Sequence, residues 1–193
     1  MEWERAQEWE RRWHGQCVNS YGEEEKHLVY AVKMGLTLFH DGKSPYNIDL
    51  AGKSVIDIGG GPCSLLLKCV NGGNCLVLDP CEYPRWTIER YREAGITVAR
   101  AKGEELNRVG FAEAWLYNCC QHVEDPELVI RNAQRAAKVI RLFEWIDTVA
   151  NEGHPHILTE LLLNEWLDGY GKVEELNLPT LKGRCYYGVF RGL

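Results

Sequence analysis

The sequence predicts an α/β protein in which short apolar strands alternate with helices, and three observations carry that prediction. Ser54 to Ser64 (SVIDIGGGPCS) runs from apolar residues through Asp57 and Ile58 into Gly59, Gly60 and Gly61, the pattern of a strand, a tight turn and a helix start. Cys75 to Asp79 (CLVLD) is a second apolar run ending in a carboxylate, twenty positions after Gly59. Around these runs lie segments with apolar residues at helical spacing, beginning with Trp3, Ala6, Trp9 and Trp13.

Composition sets the frame. A chain of 193 residues, 45% hydrophobic and 26% charged, suits one globular domain, 1–193, with residues 1–45 as an N-terminal helical cap and 46–193 as the core. The net charge of −6, from 28 acidic and 22 basic side chains without a long Lys/Arg run, argues against large or duplex nucleic acid as a partner. The N-terminus, MEWERAQEWERRW, lacks the apolar core of a signal peptide, and no apolar run approaches membrane-spanning length. The expectation is a cytoplasmic protein with no membrane partner. Of the eight cysteines, Cys63, Cys69, Cys75 and Cys81 recur every six residues and Cys119 and Cys120 are adjacent, but no pair has zinc spacing. Buried reduced thiols are expected, and no metal.

The elements follow in order. The first helix ends at His14 and Gly15. A second starts at Glu23 with Leu28, Val29, Val32, Leu36 and Phe39 as its buried stripe, and Asp41 to Pro45 breaks it. Strand one leads through the glycine turn into a helix from Ser64 to Val70, and Asn71-Gly72-Gly73-Asn74 turns the chain into strand two at Cys75. A helix from Tyr83 is stopped by Gly95, and Ile96 to Ala99 forms strand three. Phe111 to Asn118 is strand four, Leu128 to Lys138 a helix, and Val139 to Trp145 strand five. Thr159 caps a helix from Leu161 to Asp168. Lys172 to Leu178 and Cys185 to Phe190 are the last two strands.

The chemistry concentrates at the strand ends. Glycine is needed at the first turn because a Cβ would oppose positive φ and hold a ligand off the backbone amides. Unpaired N–H groups of the following helix would suit an anionic or electron-rich ligand. A carboxylate at Asp79, at this distance from the turn, meets the two hydroxyls of a ribose; alone it would read as a turn cap before Pro80. A dinucleotide site would want glycine where Ser64 stands.

With Asp57 two places before the first glycine, this segment resembles motif I of the class I, Rossmann-like S-adenosylmethionine-dependent methyltransferases, and Asp79 extends the resemblance. It implies a three-layer Rossmann-like sandwich with a seven-stranded, mostly parallel sheet in the order 3-2-1-4-5-7-6, preceded by helices that cover the cofactor. It implies that S-adenosylmethionine is bound by Asp57, Gly59, Gly60, Gly61, Asp79 and Pro80, and by Gly103, Glu104, Asn118 and Cys119. Lys102 stands where the family usually has Asp, so adenine would be met by Glu104 or by backbone carbonyls. His122, in the segment Cys119 to Pro126, is expected to be structural. An (Asp/Asn/Ser)-Pro-Pro-aromatic motif is absent at Tyr117 to Cys120, against methylation of base nitrogens.

The acceptor side rests on residues expected above the sheet. Trp13, His14 and Tyr21 either line a substrate pocket or pack, and Trp145 and Glu144 end strand five, where ligands of open sheets bind. His154 and His156 are general-base candidates because imidazole titrates near neutral pH. The implied activity is methyl transfer to an oxygen or nitrogen of a small-molecule acceptor. The alternatives are a non-catalytic S-adenosylmethionine-binding partner subunit, or aminopropyl transfer or cofactor cleavage on the same fold; an NAD-dependent dehydrogenase ranks behind these.

Overall fold

In the computed structural model, residues 2–17 and 21–193 are described, with the side chains of 3–13 and 23–193. Helices α1 (Glu2–Cys17) and α2 (Tyr21–Lys33) come first. Three short strands, β1 (Leu38–Phe39), β2 (Asn47–Asp49) and β4 (Cys69–Val70), make a small separate sheet. The main sheet contains β3 (Val55–Ile58), β5 (Cys75–Leu78), β6 (Ile96–Ala99), β7 (Phe111–Tyr117), β8 (Ala137–Trp145), β9 (Lys172–Asn177) and β10 (Lys182–Arg191). Helices α3 (Arg85–Glu93), α4 (Pro126–Ala136) and α5 (Glu160–Leu167) connect its strands.

The sheet order is β6-β5-β3-β7-β8-β10-β9. The strands of the unanticipated small sheet shift these labels; counted within the main sheet alone, the order is 3-2-1-4-5-7-6. The first five are parallel, and β10 is antiparallel to β8 and β9. The order in which strands are added reverses between the parallel neighbours β3 and β7, with β5 and β6 on one side and β8 onward on the other; this is the switch point at which open α/β sheets bind ligands.

Side chains alternate across the sheet and bury both faces. Ile56, Ile58, Leu116, Ile140 and Leu142 meet α4 and α5 on one face. Val55, Trp115, Tyr117 and Phe143 meet Tyr30 and Ala31 of α2, Met34 just after it, and Tyr91 of α3 on the other. α4 starts at Pro126 after Asp125, whose carboxylate accepts the Leu128 N–H at 3.0 Å, and Thr159 caps α5 in the expected way at Leu162.

Two expectations are corrected. The residues facing the core are Tyr30, Ala31 and, just past the helix end, Met34, with His27 in line with them at i, i+3, i+4, i+7; of the expected stripe Val29 and Leu36 pack partly buried against the same cluster, but Leu28 and Val32 are exposed at 38% and 55%, and Phe39 lies beyond the helix in β1. Two aromatic rings and a methionine win the core-facing positions because they fill the space against Phe143, whose ring centre is 4.4 Å from that of Tyr30. The helix expected from Ser64 to Val70 is instead a pair of 3-10 turns, Gly61–Cys63 and Leu65–Lys68, running into β4. Cys69 and Val70 take up parallel pairing with Ile48 and Asp49, which an α-helix through Val70 would forbid.

Candidate active site

The glycine turn leaves β3 with Gly59 at φ +72° and Gly61 at φ +62°, both left-handed and suited to glycine. A Cβ on Gly59 would sit 2.6 Å from Cβ of Cys119, and one on Gly60 would sit 2.6 Å from Oδ2 of Asp57. The turn is therefore pressed against the loop after β7 on one side and against the Asp57 carboxylate on the other.

Asp57 is fully buried under the turn and accepts hydrogen bonds from Ser64 Oγ and, at 2.6 Å, from Tyr117 OH. Burial pushes its pKa up to about 7, opposed by those two donors. It borders neither cavity at the strand ends. Its place is structural: it fixes the turn from below.

The amides expected to face a ligand are also engaged. Gly61 N–H donates to Asp79 Oδ2 at 3.1 Å, Ser64 N–H to Tyr91 OH at 2.8 Å and Leu65 N–H to Tyr117 OH at 3.0 Å. With 3-10 turns in place of a helix, the glycine turn itself opens no α-helix N-terminus.

Two adjoining cavities open above the sheet. The narrow one, about 60 Å³, brings together Gly59, Asp79, Pro80, Gly103, Glu104 and Asn118, with Cys119 also on its wall. Trp3, Gln7 and Glu10 of α1 close it from above. The wide one, about 400 Å³, is reached by Gly59 to Gly61 and Asn118, and by Trp13, Trp145 and His154. Thus the expected cofactor residues converge except Asp57. Trp13, Trp145 and His154 gather on the acceptor side, while the side chains of His14 and Tyr21 lie outside the described residues.

Asp79 is buried, and its oxygens accept from Gly61 N–H, Cys81 N–H at 2.9 Å and Tyr83 OH at 2.6 Å. Of about four acceptor positions on a carboxylate, one is left. Glu104 Oε1 accepts the N–H groups of Glu124 and Asp125 at 2.8 and 2.9 Å, so it braces the loop after β7. Gly103 has no room for a side chain, since a Cβ would meet Val129 at 2.9 Å.

The remaining base candidates separate clearly. Glu144 is fully buried, and its Oε1 accepts the N–H groups of Cys119 and Cys120 at 3.0 Å each; it reaches neither cavity, and burial raises its pKa. His156 Nε2 is bonded to the carbonyl of Val123 at 2.9 Å, also away from both cavities. His154 borders the wide cavity, but burial and neighbouring His122 push its pKa down to about 4, which makes it a weak proton acceptor.

His122, expected to be structural, borders both cavities. Its Nδ1 lies 2.9 Å from Glu10 Oε1 and 2.7 Å from the Gly153 carbonyl, and its Nε2 is 3.4 Å from Gln121 Nε2. Those partners place the hydrogen on Nδ1 and leave Nε2 as the basic nitrogen. Burial opposes the charged form, yet Glu10 and Gly153 hold the pKa above the ordinary histidine value. His27, on the wide cavity with its ring 5.9 Å from that of Tyr117, is held neutral by burial at about 4. Sequence reading missed His27 and Glu10; the signal available was the helical stripe, in which His27 and Tyr30 are three apart.

No family model matches the sequence. No curated protein sequence matches it significantly. Solved structures do share its architecture. Magnesium protoporphyrin IX methyltransferase from Synechocystis PCC 6803, solved with bound S-adenosylmethionine, superposes with TM-score 0.60 at 14% identity over 94% of this chain and 90% of that one. An S-adenosylmethionine-dependent methyltransferase from Thermotoga maritima gives 0.59 at 15% identity, covering 100% and 99%. The fold is that of the class I, Rossmann-like methyltransferases. An N-methyltransferase from Bradyrhizobium japonicum in complex with S-adenosyl-L-homocysteine matches at 0.58 and 13% identity, over 92% and 90%. Among the described residues, no helix is long and apolar enough to cross a membrane.

Proposed function

We propose that this protein transfers the methyl group of S-adenosylmethionine to an oxygen or nitrogen of a small-molecule acceptor. The observation that carries the reading is the pairing of a left-handed glycine turn with Asp79 across a cavity that continues into a second, aromatic-walled one at the sheet's switch point. The methyltransferase neighbours, two of them solved with the cofactor or its product, support it.

The nucleoside would lie along the narrow cavity with its ribose at Asp79. For both ribose hydroxyls to donate there, Tyr83 OH must give up its bond, since only one acceptor position is spare. At about 60 Å³ that cavity is well below the few hundred Å³ typical of ligand sites, so α1 moves outward on binding. Glu104 would support the adenine side through the loop it braces.

When bound, the cofactor supplies an already activated methyl group, and this chain aligns the acceptor in line and excludes water. Trp9, Trp13 and Trp145 offer flat apolar surface to the acceptor in the wide cavity. For a hydroxyl acceptor the proton would pass to Nε2 of His122, which Glu10 orients from Nδ1. His154, stacked edge-on against His122 at 4.6 Å, would position that ring.

Calorimetric titration with S-adenosylmethionine, S-adenosylhomocysteine and NAD tests the reading. The sulfur nucleosides should bind and NAD should not, and Asp79→Asn should weaken binding by tenfold or more. Preference for NAD, or no binding, would overturn it. Binding without turnover on a panel of phenols and amines would favour a non-catalytic subunit.

A further inference from the structure

The turn after β7 and the end of β8 create a second cluster behind the cofactor cavity, of which Cys119 alone borders that cavity. Cys119 and Cys120 lie side by side, at 5% and 0% exposure, against Glu144 at 0%. One sulfur from each cysteine and one carboxylate oxygen lie within 4.8 Å of one another. Oε1 of Glu144 holds the two cysteine N–H groups, while Oε2 is buried with no N–H or O–H donor, leaving only the weak S–H groups of the adjoining cysteines to serve the rest of the carboxylate. A carboxylate so poorly served in the interior is costly, and a cation between it and the two sulfurs would satisfy it.

We propose that Cys119, Cys120 and Glu144 form a binding site for a thiophilic divalent cation of the zinc and cadmium type. Two sulfurs and one carboxylate are the donor set that selects such ions over magnesium or calcium. In a tetrahedral zinc site with Zn–S bonds of about 2.3 Å, two sulfurs stand about 3.8 Å apart, so the cluster needs only a small inward movement. Three protein ligands leave a fourth position for water or another donor. Loading displaces the two thiol protons to solvent and involves no change of oxidation state. The site adjoins the glycine turn, because Cys119 is the residue against which Gly59 packs. Sequence spacing hides it: adjacent cysteines match no zinc motif, and the fold brings the third ligand from the end of the next strand.

The experiment is titration of the reduced, chelator-stripped protein with cadmium chloride, followed by sulfur-to-cadmium charge-transfer absorbance. One tight equivalent is expected. Cys119→Ala/Cys120→Ala, which keeps the other six cysteines, should lose that equivalent; Glu144→Gln, which retains an acceptor for the two N–H groups, should bind at least tenfold more weakly. An unchanged tight equivalent in the double variant, or unchanged affinity in Glu144→Gln, would overturn the site. If the double variant does not fold, X-ray absorption of the wild-type protein with one cadmium decides: two sulfur ligands with oxygen support the assignment, and any other sulfur count overturns it. None of these readouts depends on binding of S-adenosylmethionine.

Discussion

Asp57 and Glu113 are buried carboxyls on the same face of the sheet, and their surroundings drive them in opposite directions. Burial would raise Glu113, but Arg141 at 2.6 Å, Lys53 at 2.9 Å and the Trp115 indole more than offset it and bring its pKa to about 2. Asp57 has only the neutral donors Ser64 and Tyr117, so burial dominates and its pKa rises to about 7. The linkage signs follow. Glu113 contributes stability that is present above its unfolded value near 4.5 and is lost as pH falls toward 2. Asp57 contributes stability that is present below its unfolded value near 3.8 and is lost as pH rises through 7. Asp57→Asn should therefore remove a decline in stability between about pH 4 and pH 7. The size is on the order of a few kcal/mol, since each tenfold difference in proton affinity between folded and unfolded chain is worth about 1.4 kcal/mol. Urea midpoints at pH 5 and pH 8 measure it, and an identical pH dependence in the two proteins would refute a protonated Asp57.

Helix α1 is held over the narrow cavity by a few separate contacts. Lys102 Nζ lies 3.7 Å from the Trp3 ring centre, Gln7 donates to the His122 carbonyl at 3.3 Å and accepts from the Cys81 thiol, and Glu10 pairs with the His122 ring. The Lys102–Trp3 and Gln7 contacts are each worth about 0.5–1.5 kcal/mol, while the nearly buried Glu10–His122 pair holds the helix more strongly. If it gates the nucleoside, loosening it should speed both entry and exit. Trp3→Ala combined with Gln7→Ala is expected to raise association and dissociation rates of S-adenosylhomocysteine by several-fold to tenfold in stopped-flow tryptophan fluorescence, since Trp9 and Trp13 flank the wide cavity. Unchanged rates would show that α1 is a fixed wall. Hydrogen exchange in residues 3–13 should rise in the same variant while that of β7 stays unchanged.

At the scale of the whole molecule, what could be read from the sequence was set by how local each signal is. β3, β5 and β6 were legible because each is a short apolar run with Gly, Asn or Asp at an end, and the glycine turn and Asp79 were legible because their spacing follows from one strand–turn–strand unit. The small sheet was not, since two-residue strands carry no periodicity, and the leucine-rich run at 65–67 reads as a helix until β2 is known to pair with Cys69 and Val70. The pairing of Glu10 with His122 and the meeting of Glu144 with two cysteines arise from contacts between distant elements, whereas Tyr83 competes for Asp79 from within its own loop, four residues on. The nucleoside is expected to join these parts, because it would touch the turn, β5, the loop after β7 and α1 together. Ligand at one hundred times its dissociation constant stabilises the bound state by about 2.7 kcal/mol. For a domain of this size about 1 kcal/mol corresponds to about 2–4 °C, so saturating S-adenosylhomocysteine should raise the thermal midpoint by about 5–11 °C. NAD at the same concentration should leave it unchanged. Asp79→Asn should lose most of this ligand-induced rise even where its ligand-free midpoint is lower, because the rise reports binding alone. A rise of equal size in wild type and variant would remove Asp79 from the site and leave the glycine turn as its sole anchor.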